Sequence, residues 1–362
     1  MQAGDWRRFQ DSEPPSWDSY KTLLTPALFG SGGSDVFQSW TSTTQPCRTG
    51  RCALDQRIFF RGGGHHYYEG NDILEFSLQR GAWKRVSPSG HAVTKSEDVR
   101  YTIYDDGTPG SAHHYGHLTW AEDIQAIVMG PFLSFGNPPS SFTGIVTWDD
   151  AALPDVGDCS GGVDAKPVGT RCRGYTYVGN LSTELANTIG IGSAWSDRCQ
   201  KIVIWSANRI FALDTTTWTL TALGTWPNRL GETWTAWSDE LRVLVASAFE
   251  GDRLFLARLN ETCSALVTPA ETHQVEHSRS HGVSYRTTDG YFYRWGGKRQ
   301  MWTLDPDLPA NGWQVRANLA STEAPSGGDV PLRIFNKFHY IPELDVFLAI
   351  GAASDGVWVY QP

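Results

Sequence analysis

The chain of 362 residues has no run of 18 or more apolar residues, which excludes a membrane-spanning helix. It has no CxxC pair, and no His or Cys spacing supports a metal site. Its start, Met1-Gln-Ala-Gly-Asp-Trp6, lacks the basic segment followed by an apolar one that marks a signal peptide. Charged residues make up only 19%, below the usual quarter. The formal net charge of −9 argues against nucleic acid, whose phosphates need a basic face. An anionic sugar in a locally basic cleft is compatible with that total.

What the chain has instead is aromatic residues, glycine and proline. Sixteen Trp imply a large core and exclude a disordered chain, and 37 Gly with 19 Pro disfavour a helical bundle. Six Cys lie at 47, 52, 159, 172, 199 and 263. Cys47–Cys52 and Cys159–Cys172 would each close a short loop, leaving Cys199 with Cys263. Asn180-Leu-Ser182 and Asn260-Glu-Thr262 fit the N-glycosylation pattern. The expectation is a secreted, disulfide-bonded chain whose signal has been removed.

One phrase recurs along the chain: a strand ending in an aromatic residue, a short polar turn, then an apolar, β-branched strand. It is met as Phe37–Trp40 before Arg57–Phe60, Gly116–Trp120 before Ala126–Met129, and Gly192–Trp195 before Lys201–Trp205. It returns as Trp234–Trp237 before Arg242–Val245, Gly282–Tyr285 before Tyr291–Trp295, and Phe338–Tyr340 before Val346–Ile350. A third strand follows each pair, and a fourth often opens with Trp, as at Trp83, Trp218 and Trp313. Four antiparallel strands per unit predict an all-β fold, a β-propeller forming one domain over 1–362. Six blades are counted. A seventh has room only in 87–112 or 149–186, and both stretches read as insertions, the second pinned by its Cys pair. The last unit stops after three strands, so the N-terminal strand 5–9 is expected to complete it and close the ring.

Candidate chemistry lies in the loops. Gly62-Gly-Gly-His65-His66-Tyr67-Tyr68-Glu69-Gly70-Asn71 sits between strands two and three of the first blade, and its glycines permit tight backbone turns. Ser111-Ala-His113-His114-Tyr115-Gly116-His117 leads into the second blade, with His113, Tyr115 and His117 sharing one face if extended. His277-Ser-Arg279-Ser-His281 and Asn336-Lys337 lead into the fifth and sixth blades and place a cation at the same stage of each. Arg171-Cys-Arg173-Gly-Tyr175-Thr-Tyr177 precedes the third blade.

The phrase Gly62–Asn71, then Asp106-Gly-Thr-Pro109 with Ser111-x-His113-x-Tyr115, and the closing Phe338–Phe347 resemble kelch-like secreted propellers that include the ulvan lyases and related uronate-cleaving polysaccharide lyases. The chain departs from that group in counting six blades where those lyases have seven, and in His114 and Ala112. The resemblance implies a lyase that cleaves an acidic polysaccharide or oligosaccharide by β-elimination. That chemistry needs a neutralised carboxylate, a base, and an acid for the leaving glycosidic oxygen. His65 and His113 with Tyr175 are assigned to proton transfer, and Arg279 or Lys337 to the carboxylate. Tyr68, His114, Tyr115 and His281 are assigned to sugar binding. No cofactor, metal or membrane is implied, and a monomer is expected.

Other chemistries fit less well. No spacing singles out a carboxylate pair for glycoside hydrolysis. Sialidase-type Ser-x-Asp-x-Gly-x-Thr-Trp boxes do not occur, and the Cys pairing leaves no thiol for a Tyr–Cys copper oxidase. The competing class is a carbohydrate- or protein-binding kelch-like propeller without catalysis.

Overall fold

A computed structural model of the protein describes residues 4–8, 42–44, 57–61, 72–87, 103–104, 106–110, 118–130, 132–134, 140–142, 144–149, 153–160, 166–180, 191–206, 208–225, 234–247, 253–267, 271–274, 281–296, 300–316, 325, 337–350 and 356–362. The chain opens with β1 (Trp6–Arg8). The first blade is β2 (Ser42–Thr44), β3 (Arg57–Arg61), β4 (Ile73–Ser77) and β5 (Ala82–Arg85). The second takes β6 (Leu118–Ala121) and β7 (Ala126–Met129), sets aside a hairpin β8 (Phe132–Ser134) and β9 (Ser140–Phe142), and continues with β10 (Gly144–Trp148). It adds β11 (Arg171–Cys172) and β12 (Tyr175–Asn180), with β12 paired to β10. The outer strand of this blade thus comes from within the 149–186 stretch.

The third blade is β13 (Gly192–Ser196), β14 (Lys201–Ser206), β15 (Arg209–Asp214) and β16 (Thr219–Thr225). The fourth is β17 (Thr235–Ser238), β18 (Val243–Ser247), β19 (Arg253–Arg258) and β20 (Glu271–Gln274). The fifth is β21 (Gly282–Arg286), β22 (Tyr291–Trp295), β23 (Met301–Leu304) and β24 (Gln314–Val315). The sixth is β25 (Phe338–Ile341), β26 (Val346–Ile350), β27 (Val357–Tyr360) and, as its outer strand, β1. Trp6 pairs with Tyr360 and Arg8 with Trp358, so the N-terminal strand closes the ring as expected. Phe37–Trp40 lies outside the described residues; the inner strand of the first blade is Ser42–Thr44.

Strands in these blades are apolar on both faces because each face packs on a different neighbour. In β3, Ile58 and Phe60 join Leu348 and Ile350 of the sixth blade, while Phe59 joins Trp120 and Ile127 of the second. In β14, Val203 and Trp205 face Leu244 and Ala246, while Ile202 and Ile204 face Val128 and Ile145. Two further cores join the fourth blade to the fifth and the fifth to the sixth. Six junctions therefore carry six cores, which is why a strand slip of one residue would swap every contact.

The turns between first and second strands share a geometry. The last turn residue is left-handed in five blades: Gln125, Gln200, Arg242, Gly290 and Asp345, with φ of 52°, 52°, 52°, 78° and 50°. A four-residue turn ending in this conformation matches the twist of the strands it joins.

Candidate functional site

The residues flanking the two histidine-rich segments meet at the junction of the first two blades. Arg61, the last residue of β3, has no exposed surface, and its Nη2 donates to the carbonyls of Pro109 and Gly110, each at 3.0 Å. Gly62 follows Arg61 in the chain and Ser111 follows Gly110, so both segments depart from points held by one guanidinium. The turn that carries Gly110 is tied at several points. Ile103 bridges Pro109, Asp106 accepts from the Thr108 hydroxyl at 2.6 Å and from Arg173 Nη1 at 2.9 Å, and the Tyr177 hydroxyl donates to the Gly107 carbonyl at 2.9 Å. Gly107 (φ 76°) is required there: a Cβ would lie 2.7 Å from Cys172 Sγ, which is bonded to Cys159. The Asp106-Gly-Thr-Pro109 motif thus seats one loop on a disulfide.

Tyr175 lies in this junction, 1% exposed, its hydroxyl accepting from Arg61. Burial pushes its pKa up to about 12; the Arg61 charge opposes the rise and the nearby Asp72 carboxylate adds to it. Tyr177 is pushed up further by the same burial. Asp72, itself buried, pairs with Arg85 Nη1 at 3.7 Å.

His281 is half-buried, stacked on Trp302 with ring centroids 5.3 Å apart, and packed on Gly296. Lys337 is 1% exposed at the start of the sixth blade, its carbonyl accepting from Ile350 N–H. Tyr175, His281 and Lys337 therefore occupy three different blades, and each is packed into its own wall. His65, Tyr68, His113, His114, Tyr115 and Arg279 lie outside the described residues.

A second region was not anticipated. A cavity of about 400 Å³ runs along the inner strands to the turns between first and second strands. Trp120, Trp195, Trp237, Tyr285 and Tyr340 line it, together with Glu122, Asp197, Asp239, Glu240 and one cation, Arg198. Each indole N–H is tied to the carboxylate two residues on: Trp120 to Glu122 at 2.9 Å, Trp195 to Asp197 at 2.6 Å and Trp237 to Asp239 at 3.4 Å. The Tyr285 hydroxyl faces Glu240 at 3.5 Å. The repeated phrase Trp-x-Glu/Asp was the available signal. Four carboxylates against one Arg make this a poor seat for an anion. Among the described residues, no group of three or more His, Cys, Asp or Glu is placed to hold a metal ion.

No family model matches the chain, and no curated protein matches it. Among solved structures, a gluconolactonase from Xanthomonas campestris is similar over 91% of this chain and 89% of its own, with 10% identity and a TM-score of 0.50. The likeness is one of fold: a six-bladed β-propeller. A nidogen/laminin complex is similar over 76% of this chain and 78% of that one, with 11% identity and a TM-score of 0.45. The propeller carries two disulfides among its described residues, Cys159–Cys172 and Cys199–Cys263, which suit an oxidising setting. Cys47 and Cys52 lie outside the described residues.

Proposed function

We propose that this propeller is a secreted enzyme that cleaves a uronic-acid-containing glycan by β-elimination, above the junction of its first and second blades. The observation that carries the reading is the contact of Arg61 Nη2 with the Pro109 and Gly110 carbonyls, which brings together the residues that precede both histidine-rich segments. In this reading His65 and His113 exchange protons with substrate. One removes the proton beside the carboxylate as the bond to the glycosidic oxygen breaks, the other protonates that oxygen, and a carbon–carbon double bond remains. Tyr175, kept protonated by burial, accepts from Arg61 and positions it rather than acting as base. Arg279 meets the carboxylate, while Lys337, enclosed in the wall, adds positive potential. Tyr68, His114, Tyr115 and His281 hold sugar.

The packed state of Tyr175, His281 and Lys337 favours a second reading, a non-catalytic carbohydrate-binding propeller. Incubation with uronate-containing polysaccharides separates the two. New ultraviolet absorbance from unsaturated products, abolished in His65→Ala and in His113→Ala, supports the lyase. Binding without absorbance supports the second reading, and unchanged cleavage in both variants removes the assignment.

A further inference from the structure

The cavity along the inner strands has a chemistry opposite to that of the proposed uronate site. We infer that it binds an aliphatic oligoamine. Its volume, about 400 Å³, lies in the range of small-molecule sites. Its charges come from three consecutive blades: Glu122 from the second, Asp197 from the third, Asp239 and Glu240 from the fourth. They line one side of the cavity, blade after blade, and form no metal cluster, so several positive charges along one flexible body match them better than a single ion.

The carboxylates are oriented by neutral donors. Glu122 accepts from Trp120 Nε1 and Gln125 Nε2, and Asp239 from Trp237 Nε1, Ser196 Oγ and the Arg198 backbone N–H. Glu240 accepts from the Tyr285 hydroxyl. Among the described residues no Lys, Arg or His forms an ion pair with Glu122, Asp239 or Glu240. Their negative charge is therefore held at the wall of the cavity, whose low-dielectric lining strengthens it. The aromatic rings beside them add attraction for ammonium groups and apolar contact for the methylenes between.

Titration of the full chain with spermidine tests this, read by calorimetry and by the change in total tryptophan fluorescence. Saturable binding is expected, weakened at least tenfold in the Glu122→Gln/Glu240→Gln double variant with its thermal midpoint unchanged. An eight-carbon diol, uncharged, is expected not to bind. The proposal is overturned by absence of saturation at millimolar spermidine, by equal binding of the diol or of magnesium ion, or by unchanged affinity in the folded variant. Should the double variant not fold, Glu240→Gln alone, at an exposed carboxylate, and the salt dependence of the wild type decide: unchanged affinity in both overturns it. No polysaccharide enters the assay, so its failure leaves the lyase reading untouched.

Discussion

Arg286 and Asp345 meet face to face across the junction of the fifth and sixth blades, Nε to Oδ1 at 2.8 Å and Nη2 to Oδ2 at 2.6 Å. Asp289 accepts from the remaining arm of the same guanidinium at 2.6 Å, and the Tyr340 hydroxyl donates to Asp345 at 2.8 Å. A two-point pair of this kind fixes angle as well as distance. It lies beside the junction that the N-terminal strand completes.

Arg286 holds the Asp345 carboxyl down, from its ordinary 3.8 to about 2. The pair therefore stabilises the fold above about pH 4, and that contribution is lost as pH falls toward 2. Because the Asp345 side chain is 37% exposed, solvent screening reduces the expected loss to about 1 kcal/mol. Asp345→Asn keeps a residue that accepts the left-handed φ of 50°, so it isolates the charge. Urea midpoints should fall in the variant at pH 7 and converge with those of the wild type near pH 2.

The two disulfides should differ in weight. Cys199–Cys263 spans 64 residues and ties the first turn of the third blade to a turn of the fourth, whereas Cys159–Cys172 spans 13. Loop-closure entropy gives about 4 kcal/mol for the first and about 3 kcal/mol for the second. Paired Cys→Ser variants, compared by urea unfolding without reductant, should rank in that order. Equal midpoints would contradict the ranking.

The repeat was legible because each strand buries both faces. Runs such as Ile202-Val-Ile-Trp205 and Val346-Phe-Leu-Ala-Ile350 are apolar throughout and short, so they read as enclosed strands. The left-handed turn residues were not legible, since Gln125, Gln200 and Arg242 carry no preference for positive φ; the twist of the paired strands imposes it. Arg61 was hidden for a related reason. It closes the strand Arg57-Ile-Phe-Phe-Arg61, and nothing in that spelling says that its partners are carbonyls 48 and 49 residues on. Tyr175 carried a visible strand pattern, but the pairing of β12 with β10, across a disulfide-bound loop, is what puts its ring in a core. The carboxylates of the cavity are spelled in a repeated phrase, Trp-x-Glu/Asp, whose Trp also mark repeat-equivalent places in the blades and so point first to the core.

Glycines of similar appearance should respond differently to alanine. At Gly192 an added Cβ would lie 1.8 Å from Trp205 Nε1 and 2.6 Å from Thr235 Oγ1, so the third blade must shift from the fourth. Gly192→Ala should cost about 3 kcal/mol through overpacking. At Gly169 nothing lies within 4 Å and only the φ of 88° resists a side chain. Gly169→Ala should cost about 1 kcal/mol. Thermal unfolding of the two variants reads the difference directly.

Arg61→Lys tests whether the junction of the first two blades serves activity as well as stability. Lysine keeps the positive charge near Tyr175 but lacks the planar fork that serves the Tyr175 hydroxyl and the carbonyls of Pro109 and Gly110. Leaving buried carbonyls without their donor should destabilise the fold by about 2 kcal/mol. Were the contact purely structural, cleavage of a uronate polysaccharide by the folded fraction would match that of the wild type. If it instead sets the spacing between the segments that carry His65 and His113, the folded variant loses turnover while substrate binding is retained. A fall in kcat with KM preserved, measured well below the unfolding midpoint, separates the two roles.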